Sequence, residues 1–464
     1  MFTGVRFTRS SDIEQIVENV YEILAKIGIL VENEELISLL KERRPEDIFI
    51  KNGRVTVQKR LSERVFLSGR QPVEQDRLPT ASACAEVYEG LYLDPYDGQY
   101  KPWTHERLLS YFKLAKKLPG VGKATMLGCP LKGMNFVEKP LYEKLYSFKY
   151  DLGGNSSILD TELCDALLEI WQIYAQEKGK EVSEVFQGGV YLLTPLKFGH
   201  VEANQLMWFY NRNLRVTVGT MAIMGLSVPV TPAGAISEHL AEQIFIAMLN
   251  NVLFGDTAFE LAGMISVSDI RSGTFQYGRP EQVLLNNALS DIADYYHLPY
   301  HAHGGLSDAK APSFEAGVQK MGTALANIMK GRDGYLAAGL LSIDEVNSPV
   351  QMVLDNEAVG YLKHLCKGFE VNEDTLAFSA LNECIGENSM LIESWHTVAK
   401  MRESVWIPQV FSAEMFSGWT QVQKLDCHRA REQAIALIED GPELKSLISE
   451  DCEKRILHVI HQCK

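Results

Sequence analysis

A (β/α)8 TIM barrel with an N-terminal α/β addition and a C-terminal helical extension is the architecture the sequence predicts. Three observations lead there. From about residue 105 to 360, short apolar runs alternate with segments of helical period. Seven or so such units occupy ~250 residues, the size of that fold. The flanks, 1–100 and 366–464, lack the alternation, which places the barrel at 101–365. A doubly wound open sheet is the other arrangement that strand–helix alternation permits.

The elements follow in order. Residues 11–27 read as an amphipathic helix, with Ile13, Ile16, Val17, Val20, Leu24 and Ile27 on one stripe. Ser11 and Glu14 have the spacing of a capping box. A hairpin is expected at Lys51-Asn52-Gly53-Arg54, because Asn-Gly suits a two-residue turn. Strands are expected within 124–129, 146–151, 184–193, 215–223, 257–263, 298–305 and 335–341. Between them, Ile236, Leu240, Ile244, Met248 and Val252 mark one helix. Phe314, Val318, Met321, Leu325 and Ile328 mark another. Residues 366–464 read as mainly helical.

The chain has 464 residues, 46% hydrophobic and 23% charged, an ordinary balance for a large buried core. Its net charge of -15 argues against nucleic acid, whose binders carry basic surplus. The eight cysteines form no CxxC pair, so neither a disulfide framework nor a zinc ribbon is signalled. The N-terminus lacks the apolar run of a signal peptide, and 239–255 is too polar to span a bilayer. A cytoplasmic protein, without a membrane partner, is expected.

Three stretches and one scattered set of aromatics carry candidate chemistry. HAHGGLSDAK (301–310) sets His301 and His303 on the same side of a strand. That pair admits a divalent metal if later strands add ligands, a plain filling of the lumen, or a polar pocket at the strand end, where barrel chemistry sits. VPVTPAGAISEHLAEQI (228–244) joins a strand to a helix through Thr231 as cap and Pro232 as first residue. Asp269, Arg271 and Arg279 lie in ISVSDIRSGTFQYGRPE (265–281), where an arginine can fork onto a ligand carboxylate or make a surface salt bridge. Aromatics gather near strand ends: Tyr92, Tyr96, Tyr100, Trp103, Tyr191, Phe254, Phe259, Tyr277 and Tyr335. Each alone is ordinary packing, but two to four of them suffice to cage a quaternary ammonium. No nucleophile elbow, HExxH or EF-hand loop is present.

Eight segments together resemble the trimethylamine methyltransferase superfamily. They are LDPYDGQYKPWTHERL (93–108), TPLKFG (194–199), PVTPAGAISEHLAEQI (229–244), SDIRSG (268–273), YYHLP (295–299), SDAKAP (307–312), LDNEAVG (354–360) and HTVAKMRESVWIPQVF (396–411). The resemblance implies a barrel that moves a methyl group from an amine to the cobalt of a corrinoid protein. Founding members of that family carry pyrrolysine inside the barrel, whereas this chain has only the twenty ordinary residues. HAHGGL (301–306) stands at the expected place. A quaternary amine can dispense with such a residue, because its leaving group is a neutral tertiary amine. The resemblance therefore implies the pyrrolysine-free branch, acting on betaine or carnitine-type donors.

On that footing Tyr191, Phe259 and Tyr277 are the expected cage, with Tyr96 and Tyr335 behind them. His303 and Asp308 would shape the rim, and Arg271 or Lys310 would hold a substrate carboxylate. No covalent catalytic residue, no resident metal and no tightly bound cofactor are expected. Cobalamin in its Co(I) state would arrive on a corrinoid-binding partner, and the chain itself would form a homo-oligomer. The competing readings are a metal-dependent barrel hydrolase built on His301 and His303, and a quaternary-amine binding protein without transfer activity.

Overall fold

Small residues alternate with larger ones along ASACAEV, and a strand with a thin face can sit between two neighbours. In the computed structural model, which describes residues 6–71, 77–135, 137–153, 156–157, 161–256 and 259–463, this strand (Ala81–Val87) occupies such a position. It pairs in parallel with Gly334–Ala338 on one side and Ala124–Met126 on the other. Gly188–Leu192 lies parallel between Val216–Thr220 and Ser156–Ser157. Ala222–Met224 pairs in parallel with Ile265–Asp269, which folds back on Thr274–Gln276. Leu261–Ala262 pairs in parallel with Tyr300–His301. Near the N-terminus, Ile29–Val31 joins the hairpin Ile48–Lys51 and Arg54–Val57, whose turn residues Asn52 and Gly53 both have positive φ, as such a turn demands.

The expected closed (β/α)8 barrel is thereby corrected. Among the described residues the strands belong to six small sheets of two to four strands, and none closes on itself. Continuous apolar runs in the sequence are broken ladders in the structure. Met221 separates Val216–Thr220 from Ala222–Met224, and Gly263-Met264 separates Leu261–Ala262 from Ile265–Asp269. The result is a mixed α/β fold of separate short sheets. Ala81–Val87, inside the span assigned to the N-terminal addition, is the middle strand of one of them.

Other elements differ locally. Residues 146–150, expected as strand, end the helix Glu138–Tyr150, because Leu141, Leu145 and Phe148 repeat at helical spacing and are buried. The expected strand 257–263 is described only from 259 onward, and its paired part is Leu261–Ala262. The first helix, Ser10–Glu22, runs on into a wider turn at Ile23–Ile27, and its cap position is Arg9 with no side-chain bond, so the Ser11–Glu14 box does not form. Thr231 is the cap of Pro232–Phe254 by position, again without a side-chain bond. In Phe314–Met329 the expected stripe is rotated: Phe314 and Val318 face solvent, and Lys320, Thr323 and Asn327 are buried.

The core has two main parts. One runs from the N-terminal helix through Pro232–Phe254, whose buried positions lie all round it, to the last helix, Glu450–Gln462. The other gathers Tyr111, Phe112, Leu336, Met352 and Val359 and takes in Ala430 and Ala434 of the helix Asp426–Glu439. No helix among the described residues is long and apolar enough to cross a membrane.

Candidate functional site

Successive side chains of a strand point to opposite faces, so Cys84, Glu86 and Tyr88 share one face beyond the small residues Ala83, Ala85 and Val87. The neighbouring strand Gly334–Ala338 supplies Tyr335, whose hydroxyl donates to Glu86 Oε1 at 2.5 Å. Burial is the main reason the Glu86 carboxyl titrates above the usual range; the Tyr335 bond and the Lys320 charge pull it back. Burial, then Glu86, pushes the phenols of Tyr88 and Tyr335 well above 10. These groups stay neutral at any physiological pH and present ring faces and O–H donors.

Tyr277 completes the wall. It packs with Leu306, Ala337, Leu340 and Ile343, and Tyr88, Phe275 and Tyr335 lean on the same cluster. Its phenol is pushed up to about 12, first by burial, then by Asp344 and Glu86. Asp344 reaches the site from a turn in which Ser342 and Ile343 both have positive φ, a strained conformation for a β-branched residue. Burial raises the Asp344 carboxyl as well. The ring of His303 lies 5.5 Å from that of Tyr277, and its Nδ1 is 3.1 Å from the Gln282 amide. Burial lowers the imidazole to about 4, so it is neutral.

Two backbone features let these groups meet. Gly305 has a φ of 78°, and a side chain there would strike the Tyr335 carbonyl at 2.2 Å. Only glycine lets the 304–308 segment lie along the Tyr335 strand. The Tyr191 ring rests on Gly219, where an added Cβ would fall 2.8 Å from the ring. Asp308 holds the rim: its Oδ1 accepts from the Tyr277 N–H at 2.7 Å, and its Oδ2 from Arg279 Nε at 3.3 Å.

The structure therefore brings together Tyr277, Tyr335, His303 and Asp308 of the expected residues, with Tyr191 close enough to act on the Tyr88 and Tyr277 phenols. The others lie apart. Phe259 is fully buried, edge-on to Phe66 at 5.4 Å, where it packs the helix Lys59–Ser68 against the body. Tyr96 is half exposed and donates to Glu439 at 3.2 Å. Arg271 points to solvent and is held by Asp269 Oδ2 at 2.6 Å. Lys310 is exposed, and its carbonyl accepts from Tyr100. Arg279, bonded to Asp308, Asp269 and Gln276, is the guanidinium beside the tyrosines. His301 and His303 separate, His301 being exposed with its Nε2 2.6 Å from Glu260. Among the described residues no group of three His, Cys, Asp or Glu is placed to hold a metal.

Glu86, Tyr88, Asp344 and Gln282 went unrecognised in the sequence. The signal was the alternation in ASACAEVYE, which is faint because its apolar members are mostly alanine.

A second carboxylate group lies on Pro232–Phe254. Glu242 accepts from the Leu196 N–H at 2.8 Å, from Thr194 at 2.9 Å and from Thr220, tying three chain segments. One turn earlier, Glu238 is buried, with Oε1 lacking any hydrogen-bond partner among the described residues. Burial and the Glu242 charge push its carboxyl up to about 8. An acid whose folded pKa exceeds its ordinary 4.5 contributes stability that is intact below 4.5 and lost as pH rises toward 8. Glu238→Gln, which mimics the protonated form, should therefore melt higher than the parent at pH 8, with the gap closing toward pH 5. Thermal melts at the two pH values check this.

The sequence profile of the family described as trimethylamine methyltransferase (MTTB) matches residues 149–456. The chain is 28% identical to the glycine betaine methyltransferase of Desulfitobacterium hafniense over 50% of this chain and 49% of that protein. It is 29% identical to the trimethylamine methyltransferase MttB of Methanosarcina barkeri over 46% and 42%. A longer match, 22% identical over 79% of each chain, is to the L-carnitine:corrinoid methyltransferase of Eubacterium limosum. The first two matches thus span about half the length of those relatives. Among solved structures, the monomethylamine methyltransferase of Methanosarcina barkeri superposes with a TM-score of 0.42 at 11% identity, over 94% of this chain and 95% of that one.

Proposed function

Because the chain belongs to the trimethylamine methyltransferase family, we propose that it transfers a methyl group from a quaternary amine to the Co(I) of a corrinoid carried by a partner protein. The observation that carries the choice of donor is the Glu86 carboxylate. It is set among tyrosines, and among the described residues its one side-chain hydrogen bond comes from the uncharged Tyr335. The Lys320 ammonium, whose charge reaches Glu86, is itself paired with Asp355 at 2.9 Å, so a cationic ligand would complete the neutralisation of Glu86. Each aromatic face contributes about 0.5–2 kcal/mol to a desolvated quaternary ammonium. Arg279, beside Tyr277 and partly exposed, is the group to meet a carboxylate on the same substrate.

In this reading the chain's own groups bind, orient and exclude water. Rings of Tyr88, Tyr277 and Tyr335 hold the methylammonium head, and Glu86 balances its charge. The carbon–nitrogen bond breaks with its electron pair staying on nitrogen, the methyl passes to cobalt, and a neutral tertiary amine leaves. No proton is needed, which suits a site whose phenols and imidazole are all held neutral. The separation of His301 from His303 gives the hydrolase reading no support.

The test is a methylation screen with free cob(I)alamin as acceptor, across glycine betaine, carnitine, choline and trimethylamine. The expected result is methylcobalamin formation above background with at least one quaternary amine and none with trimethylamine. Background rates with every quaternary amine, despite tight binding of one, would reduce the protein to a binder.

A further inference from the structure

Glu238 and Glu242 stand four residues apart on Pro232–Phe254, so their side chains share one face of the helix. Glu242 is fully buried and Glu238 is 5% exposed. Carboxylates withdrawn this far from water are paired with a cation or neutralised. Among the described residues no lysine or arginine bonds to either. Glu242 is held by the Leu196 N–H and the hydroxyls of Thr194 and Thr220, and Glu238 Oε1 has no partner there. His239 supplies no charge. Its Nε2 lies 3.1 Å from the Ala262 carbonyl, and burial lowers the imidazole to about 4.

Oxygen atoms converge beside this pair. The Thr194 and Thr220 hydroxyls are 3.0 Å apart, and both donate to Glu242 Oε2. A hydroxyl that donates its proton keeps lone pairs to offer. With Glu242 Oε2 and the Glu238 carboxylate they make a donor set of oxygen alone. Thr194 is half-buried, which leaves an approach from solvent. The strand pairing fixes where this lies. Gly219 stands opposite Tyr191, and Thr220 opposite Leu192. Successive residues of a strand face opposite ways, so Thr220 meets the helix on the far side of the strands from the Tyr191 ring.

We infer that Glu238, Glu242, Thr194 and Thr220 form a site for a divalent, oxygen-preferring cation of the calcium class. Two buried carboxylates without a basic partner are neutralised by one divalent ion. Zinc favours nitrogen and sulfur donors, and His239 is turned away. Magnesium keeps several waters around it, whereas Glu238 Oε1 is sealed from solvent. Calcium accepts carboxylate and neutral oxygens in irregular arrangements. Bound there, it would tie the helix to the ends of two parallel strands, one residue from Tyr191, without touching the methyl donor. The inference does not depend on which donor the tyrosine site takes.

The test uses the full chain, stripped with chelator and dialysed at pH 8, where the Glu238 carboxyl can give up its proton. Calorimetry should show saturable binding of one calcium per chain. Calcium at about a hundredfold excess over its dissociation constant should raise the melting temperature by several degrees. Glu238→Gln, nearly isosteric, should bind calcium at least tenfold more weakly. In calcium-free buffer the parent melts below that variant at pH 8, and saturating calcium should reverse the order. Absence of saturable calcium binding overturns the inference, as does equal affinity in parent and variant. A melting response to potassium at matched ionic strength, with none to calcium, would assign the pair to a monovalent ion and overturn it too.

Discussion

On the proposed function, Glu86→Gln is expected to weaken binding of a quaternary amine by roughly 100-fold, equivalent to ~2.7 kcal/mol. Removing one member of a desolvated charge pair costs about 2–5 kcal/mol, and a glutamine keeps a dipole where the charge was, so the lower part of that range applies. The substitution is nearly isosteric and can still accept from the Tyr335 hydroxyl, so the melting temperature should hardly move. The pH dependence gives a second readout. Burial raises the Glu86 carboxyl above the ordinary range. Free Glu86 thus holds its proton to higher pH than an ordinary carboxyl, and cation binding must release that proton where it is still bound. Affinity of the parent therefore climbs with pH until Glu86 is ionised and then levels, whereas the glutamine variant stays flat. Titration calorimetry with glycine betaine and carnitine between pH 5 and 8 measures both. Equal affinities, or equal pH profiles, would remove Glu86 from the site.

How much of this was legible from residues alone depends on what each element hides. Pro232–Phe254 showed itself because its large apolar residues repeat at helical spacing. The hairpin at Asn52-Gly53 showed itself because only a few residues tolerate its backbone. Ala81–Val87 stayed hidden because its packed face is alanine, and the site residues Glu86 and Tyr88 stayed hidden with it. Glu86 and Tyr88 also lie outside residues 149–456, where the family match is found. Phe259 and Tyr277 look alike as aromatics near strands. Whether a ring faces a mouth or a neighbouring helix is decided by partners such as Phe66, far away in sequence. Strand closure was not legible either, because an apolar run does not say which residues keep their ladder bonds and which, like Met221, drop out of them.

The segments that carry the family resemblance turn out to hold one another. Glu242 in 229–244 binds Thr194 and Leu196 in 194–199. Glu357 in 354–360 gathers the amides of 409–411, the end of 396–411. Asp308 in 307–312 fixes Tyr277. These carboxylates serve as structural clamps between segments, and Asp308 also fixes the position of Tyr277. Motifs of this kind announce a fold and a family sooner than a substrate.

The heaviest of these clamps sits behind Tyr335. Lys320 and Asp355 are almost completely buried and pair at 2.9 Å. Lys320 also donates to the Ala337 carbonyl at 2.6 Å, and Asp355 Oδ2 accepts from the Gly339 N–H at 2.8 Å while Oδ1 accepts from Gln351 at 2.9 Å. The pair bolts the helices Phe314–Met329 and Pro349–Lys367 to the end of the strand that presents Tyr335. Desolvating two charges is expensive, so the intact pair contributes little net stability against an apolar pair of similar volume. Breaking it is another matter, because Asp355→Leu strands an ammonium in the core. We expect that variant to lose about 3–5 kcal/mol of stability. Lys320→Met/Asp355→Leu should recover part of that loss, since no charge is left unpaired. Urea unfolding followed by tryptophan fluorescence on the parent, both single variants and the double variant completes the cycle. Additive losses in the double variant would mean that the two residues act separately and that the clamp is not a unit.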